Sequence, residues 1–207
     1  MQKIKTNICA QIFIIYTRYL IGGCFIFASL IKIKGNRFTS ESGALNPIDS
    51  AWHFFETLYQ SGLYWKFIGI SQLLAGFLLM TQKYAKLGAL VNFPIIINIF
   101  IITLSYSFGF TPLLAAMLLI ANMLLIIWDW NEFKMFFNLM PTFDGTQRLE
   151  NDKLWIRIGL LLFLFTFSYR VLVDNYDVIF WLVICISIGL VGLIVWLSKQ
   201  KKKVLKL

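Results

Sequence analysis

The sequence predicts an all-α protein, a polytopic transmembrane helical bundle of six spans. Three observations carry that prediction. Apolar residues make up 59% of the 207-residue chain and charged residues only 14%, against about 45–50% and about 25% in soluble domains. Mean hydropathy is +0.75, and a soluble fold of this size cannot hide so much apolar surface. The apolar residues gather in runs close to the ~20 residues that a helix needs to cross the hydrocarbon core. Lys and Arg collect at the ends of those runs.

The first span runs from Ile8 to Ile31 and is interrupted only by Arg18. Lys3 and Lys5 ahead of it imitate a signal peptide's charged start, but the run is too long for a signal core. The second span covers about 63–81. From Leu87 to Trp128 no charged residue occurs, which is room for two spans, about 85–108 and 112–130. Gly109, Thr111 and Pro112 divide them into a tight hairpin, with Thr111 as the expected N-cap and Pro112 in the first turn. A cytoplasmic loop, 132–153, leads to a C-terminal pair within 154–207: Leu154 to Val173, with Arg157 and Arg170 snorkelling from its ends, and Val178 to Leu197, followed by a basic tail. Trp65, Trp128, Trp130, Trp155, Trp181 and Trp196 fall at or near span ends, where indole rings favour the lipid interface.

The net charge of +9 does not indicate nucleic acid, whose partners interleave basic, polar and aromatic residues on one face. It indicates orientation. Lys3, Lys5, Lys83, Lys86, Lys134, Arg148, Lys153, Lys199, Lys201, Lys202, Lys203 and Lys206 all fall on one side of a six-span chain. The other side holds Lys32, Lys34 and Arg37. The Lys/Arg excess marks the cytoplasmic face, so both termini are expected there. On the outer side, Asn46-Pro47-Ile48-Asp49 reads as a helix start. Ile48, Trp52, Phe55 and Tyr59 recur at helical spacing, which gives a short amphipathic helix at about 47–61. It either lies on the outer leaflet or packs over the bundle mouth.

Cys9, Cys24 and Cys185 lie inside apolar runs and read as buried small apolar side chains. With His53 the one histidine, its neighbours Asp49 and Glu56 do not amount to a metal site. No catalytic constellation and no haem, flavin or iron–sulfur ligand set is visible. Polar groups are costly in lipid, so their depth is informative. Arg18, Gln72, Asn92 and Asn122 come out roughly 10–15 Å from the cytoplasmic ends of four spans. Asn98 lies deeper, beyond Pro94, where it would repair a proline kink. These five form the candidate ligand-binding cluster, with Arg18 as its cation. The alternative is a hydrogen-bond network that glues the helices, with Arg18 donating to Asn92, Asn122, backbone carbonyls or Asp129. Gly22 and Gly23 permit close helix approach.

Arg18-Tyr19-Leu20-Ile21-Gly22-Gly23, then Phe25, Ser29 and Lys32, followed by Gly69-Ile70-Ser71-Gln72-Leu73-Leu74-Ala75-Gly76 with Lys83 and Gly88, resembles the DoxX-like family of bacterial integral membrane proteins. The resemblance covers about residues 10–131, or 1–131 as a four-helix core. Gln72 stands where many members carry Glu, and Ser29 where Gly is common. The resemblance implies the inner membrane and, for some members, thiosulfate oxidation through quinone or thiol redox tasks. The expected function is accessory or binding rather than enzymatic: the bundle holds a lipid-like or quinone-like molecule, or a membrane partner or second copy. The rivals are a membrane subunit of a quinone-linked oxidoreductase and a small-solute transporter. In intact spheroplasts, an impermeant thiol reagent should label a cysteine placed at Ser40 and spare one at Thr146; the reverse pattern would invert the orientation.

Overall fold

The computed structural model describes residues 2–141 and 148–204. Lys206 and positions 142–147, which belong to the expected basic tail and loop, lie outside the described residues. Among the described residues the α-helices are α1 (Gln2–Lys5), α2 (Ile8–Ile33), α3 (Ala51–Gln60), α4 (Leu63–Met80), α5 (Ala85–Ser105), α6 (Thr111–Trp128), α7 (Trp130–Phe133), α8 (Lys153–Leu172) and α9 (Val178–Val204). Six of them, α2, α4, α5, α6, α8 and α9, are long and apolar enough to cross a membrane. Short turns make α4 and α5, α5 and α6, and α8 and α9 antiparallel neighbours. One end of the bundle, here the basic end, gathers the start of α2, the α4–α5 turn, the end of α6 and the start of α8. The opposite end carries α3.

Helix α2 is the axis, and its two faces serve two cores. Ile14, Ile21 and Phe25 join Ala75 and Leu79 of α4, Ala89 and Ile96 of α5, and Ala115 and Leu125 of α6. Ile15, Tyr19, Ile26 and Leu30 join Trp155, Ile158 and Leu162 of α8 and Trp196 of α9. The four-helix core and the C-terminal pair are therefore both built onto α2. Asn7 starts this helix by accepting the Cys9 N–H at 2.8 Å.

Small residues set how close α2 and α4 come. A Cβ on Gly22 would lie 2.9 Å from the Gly76 carbonyl, and one on Gly76 would lie 2.7 Å from the Gly22 carbonyl. Seven residues along α2, Ser29 faces Gly69, whose Cβ would lie 2.9 Å from the Ser29 carbonyl. A step of seven up α2 is matched by seven back along α4, the register of two antiparallel helices meeting backbone to backbone. Gly23 instead faces the side chains of Met80 and Trp181. The same device attaches the C-terminal pair. A Cβ on Gly159 would lie 1.8 Å from the Met80 carbonyl, and Gly189 of α9 accepts the Tyr16 hydroxyl at 2.7 Å.

Several expectations are corrected here. Helix α3 begins after Ser50, whose hydroxyl accepts the His53 N–H. Asn46 and Pro47 form a turn ahead of it, in which Pro47 O accepts from Ser50 N at 2.9 Å. Helix α3 packs over the bundle mouth, with Phe54 stacked on Tyr106 and Phe55 against Phe108. Helix α6 begins at Thr111, with Phe110 in the cap position. Trp65, Trp155, Trp181 and Trp196 do lie near span ends, but they are buried in protein. Trp65 donates to the Asn36 carbonyl and Trp181 to the Thr166 hydroxyl, and Trp155 packs on Trp196. Cys9 is exposed, and Cys24 and Cys185 are half-buried. Arg170 does not snorkel: it is buried between the rings of Phe27 and Tyr176, at 4.6 and 3.7 Å from their centroids. Two ring faces take the place of headgroup water.

The Gly159 contact is with backbone, which cannot rotate away. Gly159→Ala should lower stability by about 3 kcal/mol or more in detergent unfolding, the upper range for overpacking. Ser168→Ala, exposed on the same helix, should stay within about 0.5 kcal/mol. Equal stabilities would remove the close approach.

Candidate functional site

The five polar residues expected in one cluster are found in three places. Arg18 is 1% exposed and turns toward the basic end, as helical side chains lean toward their own N-terminus. Its guanidinium pairs with Asp129 at 2.8 Å and with Glu150, and donates to Gln82 at 3.1 Å. Arg148 reaches Asp129 at 2.8 Å, Glu132 at 3.0 Å and Glu150 at 3.3 Å. Lys86 at the start of α5 pairs with Glu132 and lies 4.0 Å from Glu150. The formal charges of three cations and three carboxylates cancel, and the set ties α2, α5, α6 and the loop before α8 together. Burial opposes ionisation of Glu150, but Arg18 and Arg148 outweigh it and hold that carboxyl below the usual range. At Asp129, burial outweighs the pull of Arg18 and the carboxyl is pushed up. Asp129 had been foreseen as a partner of Arg18; Glu150, Arg148, Lys86, Glu132 and Gln82 had not. The available signal was the position of those charges just beyond span ends, where each can reach back into the bundle.

Asn92 and Asn122 form the second place. Asn92 Nδ2 donates to Asn122 Oδ1 at 3.0 Å, and Asn122 Nδ2 donates to the Ala89 carbonyl at 3.0 Å. Both residues are fully buried. Arg18 does not reach them, because it is spent on carboxylates at the basic end. The pair fastens α5 to α6 as interhelical glue.

Gln72 and Asn98 form the third place, and it is a cavity. About 540 Å³ opens between α2, α4, α5 and α6 beneath α3, within the 300–1,000 Å³ usual for small-molecule sites. Its depth runs from Phe54 and Phe55 of α3 down to Phe25 and Val91. Exposed Tyr64, Phe67 and Leu114 belong to the lining, so the cavity is open. The walls are largely apolar, and a few polar groups converge on them. Gln72 is 3% exposed, and its Oε1 is buried without a hydrogen-bond partner. Asn98 and Pro94 line the space and are exposed to it. Helix α5 continues through Pro94. Among the described residues the Asn98 side chain makes no hydrogen bond, so it does not repair the proline. Lys32, which looked like an outer-loop charge, is buried in the lining. Its Nζ donates to the Ala28 carbonyl at 2.8 Å and lies 5.3 and 5.2 Å from the Phe38 and Trp65 ring centroids.

The segment above the cavity is fastened by Glu56. Arg37 donates to it twice, at 2.8 and 3.0 Å, and the Gly43 N–H and Gln60 Nε2 donate at 3.3 and 3.2 Å. The Arg37 hydrogen bonds, with help from Gly43 and Gln60, bring the Glu56 carboxyl down to about 2. This clasp is in place above the ordinary carboxylate range and is lost only as pH falls toward that value. Glu56 therefore serves Arg37 rather than His53.

One curated relative is 33% identical over 110 residues: the "Uncharacterized protein YwoB" of Bacillus subtilis (strain 168). The alignment covers 53% of this chain and 68% of the relative. This chain belongs to the family of YwoB. No family model matches the chain, and no solved structure does. The relative's name carries no activity.

Removing one member of a buried ionic set strands the others, at about 3–5 kcal/mol. Arg18→Leu should cost that much in detergent unfolding. Adding Asp129→Leu should recover part of it, since two cations and two carboxylates then remain and the apolar replacement removes a stranded acid. A double variant no more stable than Arg18→Leu alone would contradict the ionic base.

Proposed function

We propose that this protein is a non-enzymatic binding protein of a bacterial cytoplasmic membrane, with both termini in the cytoplasm, that holds one lipid-like or quinone-like molecule in the cavity of its four-helix core. The observation that carries this reading is the combination of an open, largely apolar space of about 540 Å³ with a few polar side chains in its lining, among them Lys32, Gln72 and Asn98. A large apolar pocket with few polar groups is the form that small-molecule sites take. An amphiphile satisfies both parts: its tail covers the apolar walls and its head meets the polar groups. A quinone's carbonyls would accept from the same Lys32. Six apolar helices support residence in a membrane, the basic residues at one end support the orientation, and the bacterial relative supports the host class.

Arg18 has a different part in this reading from the one the sequence suggested. It belongs to the base that keeps the bundle closed below the Asn92–Asn122 pair, and the ligand sits above that pair. The polar residues then divide by task, three for the ligand and the rest for holding helices.

The test is to purify the full chain in mild detergent and identify what is extracted from it by mass spectrometry. A single molecular species should be retained in near-stoichiometric amount. Ala115→Trp fills the cavity from α6, where Ala115 is 3% exposed in the lining, and should reduce retention about tenfold. Leu118→Phe, one turn deeper, should act in the same direction. Bulk membrane lipid present equally in wild type and both variants would reject the reading.

A further inference from the structure

The cavity contains a buried lysine that has no carboxylate partner among the described residues. Lys32 is 7% exposed, and among the described residues no carboxylate lies within ion-pair distance of it. Of its three N–H donors, one is given to the Ala28 carbonyl at 2.8 Å. The Phe38 and Trp65 rings, at 5.3 and 5.2 Å, flank the ammonium without neutralising it. Two deeply buried arginines are treated differently. Arg18 has two carboxylates. Arg170 is closed between two rings and donates its Nε to the Phe27 carbonyl at 3.3 Å. Lys32 alone among these lines the cavity, and a buried charge is costly unless it is paired.

Resting on the binding reading above, we infer that the cavity's ligand is a long-chain carboxylate whose head pairs with Lys32 Nζ and whose tail runs inward along the apolar walls. The charge count selects the head. One lysine is present in the lining and no arginine. A lysine supplies a single point charge. A phosphate monoester brings roughly 1.5 to 2 negative charges and would leave an excess in an apolar space, while a carboxylate brings one. Position selects the direction of the tail. Lys32 lies level with Gly69, since a Cβ on Gly69 would be 2.9 Å from the Lys32 Cβ. That is the α3 end of the cavity, and Phe25, Val91 and Leu118 lie deeper in the lining. Gln72 follows Gly69 by three residues, about 4.5 Å further in. Its unpartnered amide offers a neutral hydrogen-bonding group just past the head.

The experiment uses the full chain, delipidated in detergent, and compares hexadecanoate, its methyl ester and hexadecyl phosphate by equilibrium binding. Hexadecanoate should bind about tenfold or more tightly than the ester. Lys32→Met should bring the acid to the level of the ester while the ester still binds, which also reports an intact cavity. Lys32→Arg should keep the preference. Equal binding of acid and ester by wild type would overturn the inference about the head and leave the binding reading standing; no binding of any probe would overturn both. Tightest binding of hexadecyl phosphate would overturn the singly charged assignment. A preference that survives in Lys32→Met would remove Lys32 from recognition. The wild-type comparison of acid with ester needs no variant to fold.

Discussion

A guanidinium cannot be left unpaired among hydrocarbon, and the basic end of this bundle is organised around that constraint. Arg18 lies inside the span that contributes to both cores. Its charge is answered by Asp129 from the end of α6 and by Glu150 from the loop ahead of α8, so two distant parts of the chain must converge on α2. Arg148 and Lys86 then balance the surplus acids. A buried ionic set is weak evidence for raw stability, since apolar replacements often do as well. Its effect here is to fix which elements meet: α6 in the four-helix core, and the approach to α8 on the other side.

The two ends of the same four helices are consequently unlike. At the basic end, charges and the Asn92–Asn122 bond draw α2, α5 and α6 together. At the α3 end, polar pairing shifts to the overlying segment, where Glu56 clasps Arg37 and Gly43, and the helices below part to leave a cavity. The small residues along α2 and α4 hold those two helices together from the Gly22–Gly76 contact to the Ser29–Gly69 contact, so the space opens toward α5 and α6 instead. Pro94 belongs to this opened wall, where a residue without an N–H leaves a turn of helix less tightly bonded.

The fold was legible in the sequence because membrane helices are written in long apolar runs; five of the six emerge within three residues of the expected limits, and α9 runs past Leu197 to Val204. Ser50 took the cap that Asn46 was expected to take, because a local hydroxyl three residues before His53 competes well with a proline turn. The site was only half legible. Depth along a helix can be counted, but direction around it cannot, so Arg18, Gln72, Asn92 and Asn122 looked like one layer although they face different neighbours. Glu150 was hidden because its partner is 132 residues away. Lys32 was hidden because a lysine at a span end ordinarily reaches for water, and only the packing of Phe38 and Trp65 over it shows that it does not.

The neutrality of the Arg18 set has an electrical consequence. Moving one elementary charge through a membrane potential of 100 mV involves about 2.3 kcal/mol, so a solitary arginine in the first span would make folding depend on how strongly the cell energises its membrane. With Asp129, Glu132 and Glu150 compensating Arg18, Lys86 and Arg148, the set presents no net charge for the field to act on. On formal charges, the membrane potential exerts no net pull on the joint at the base of the bundle.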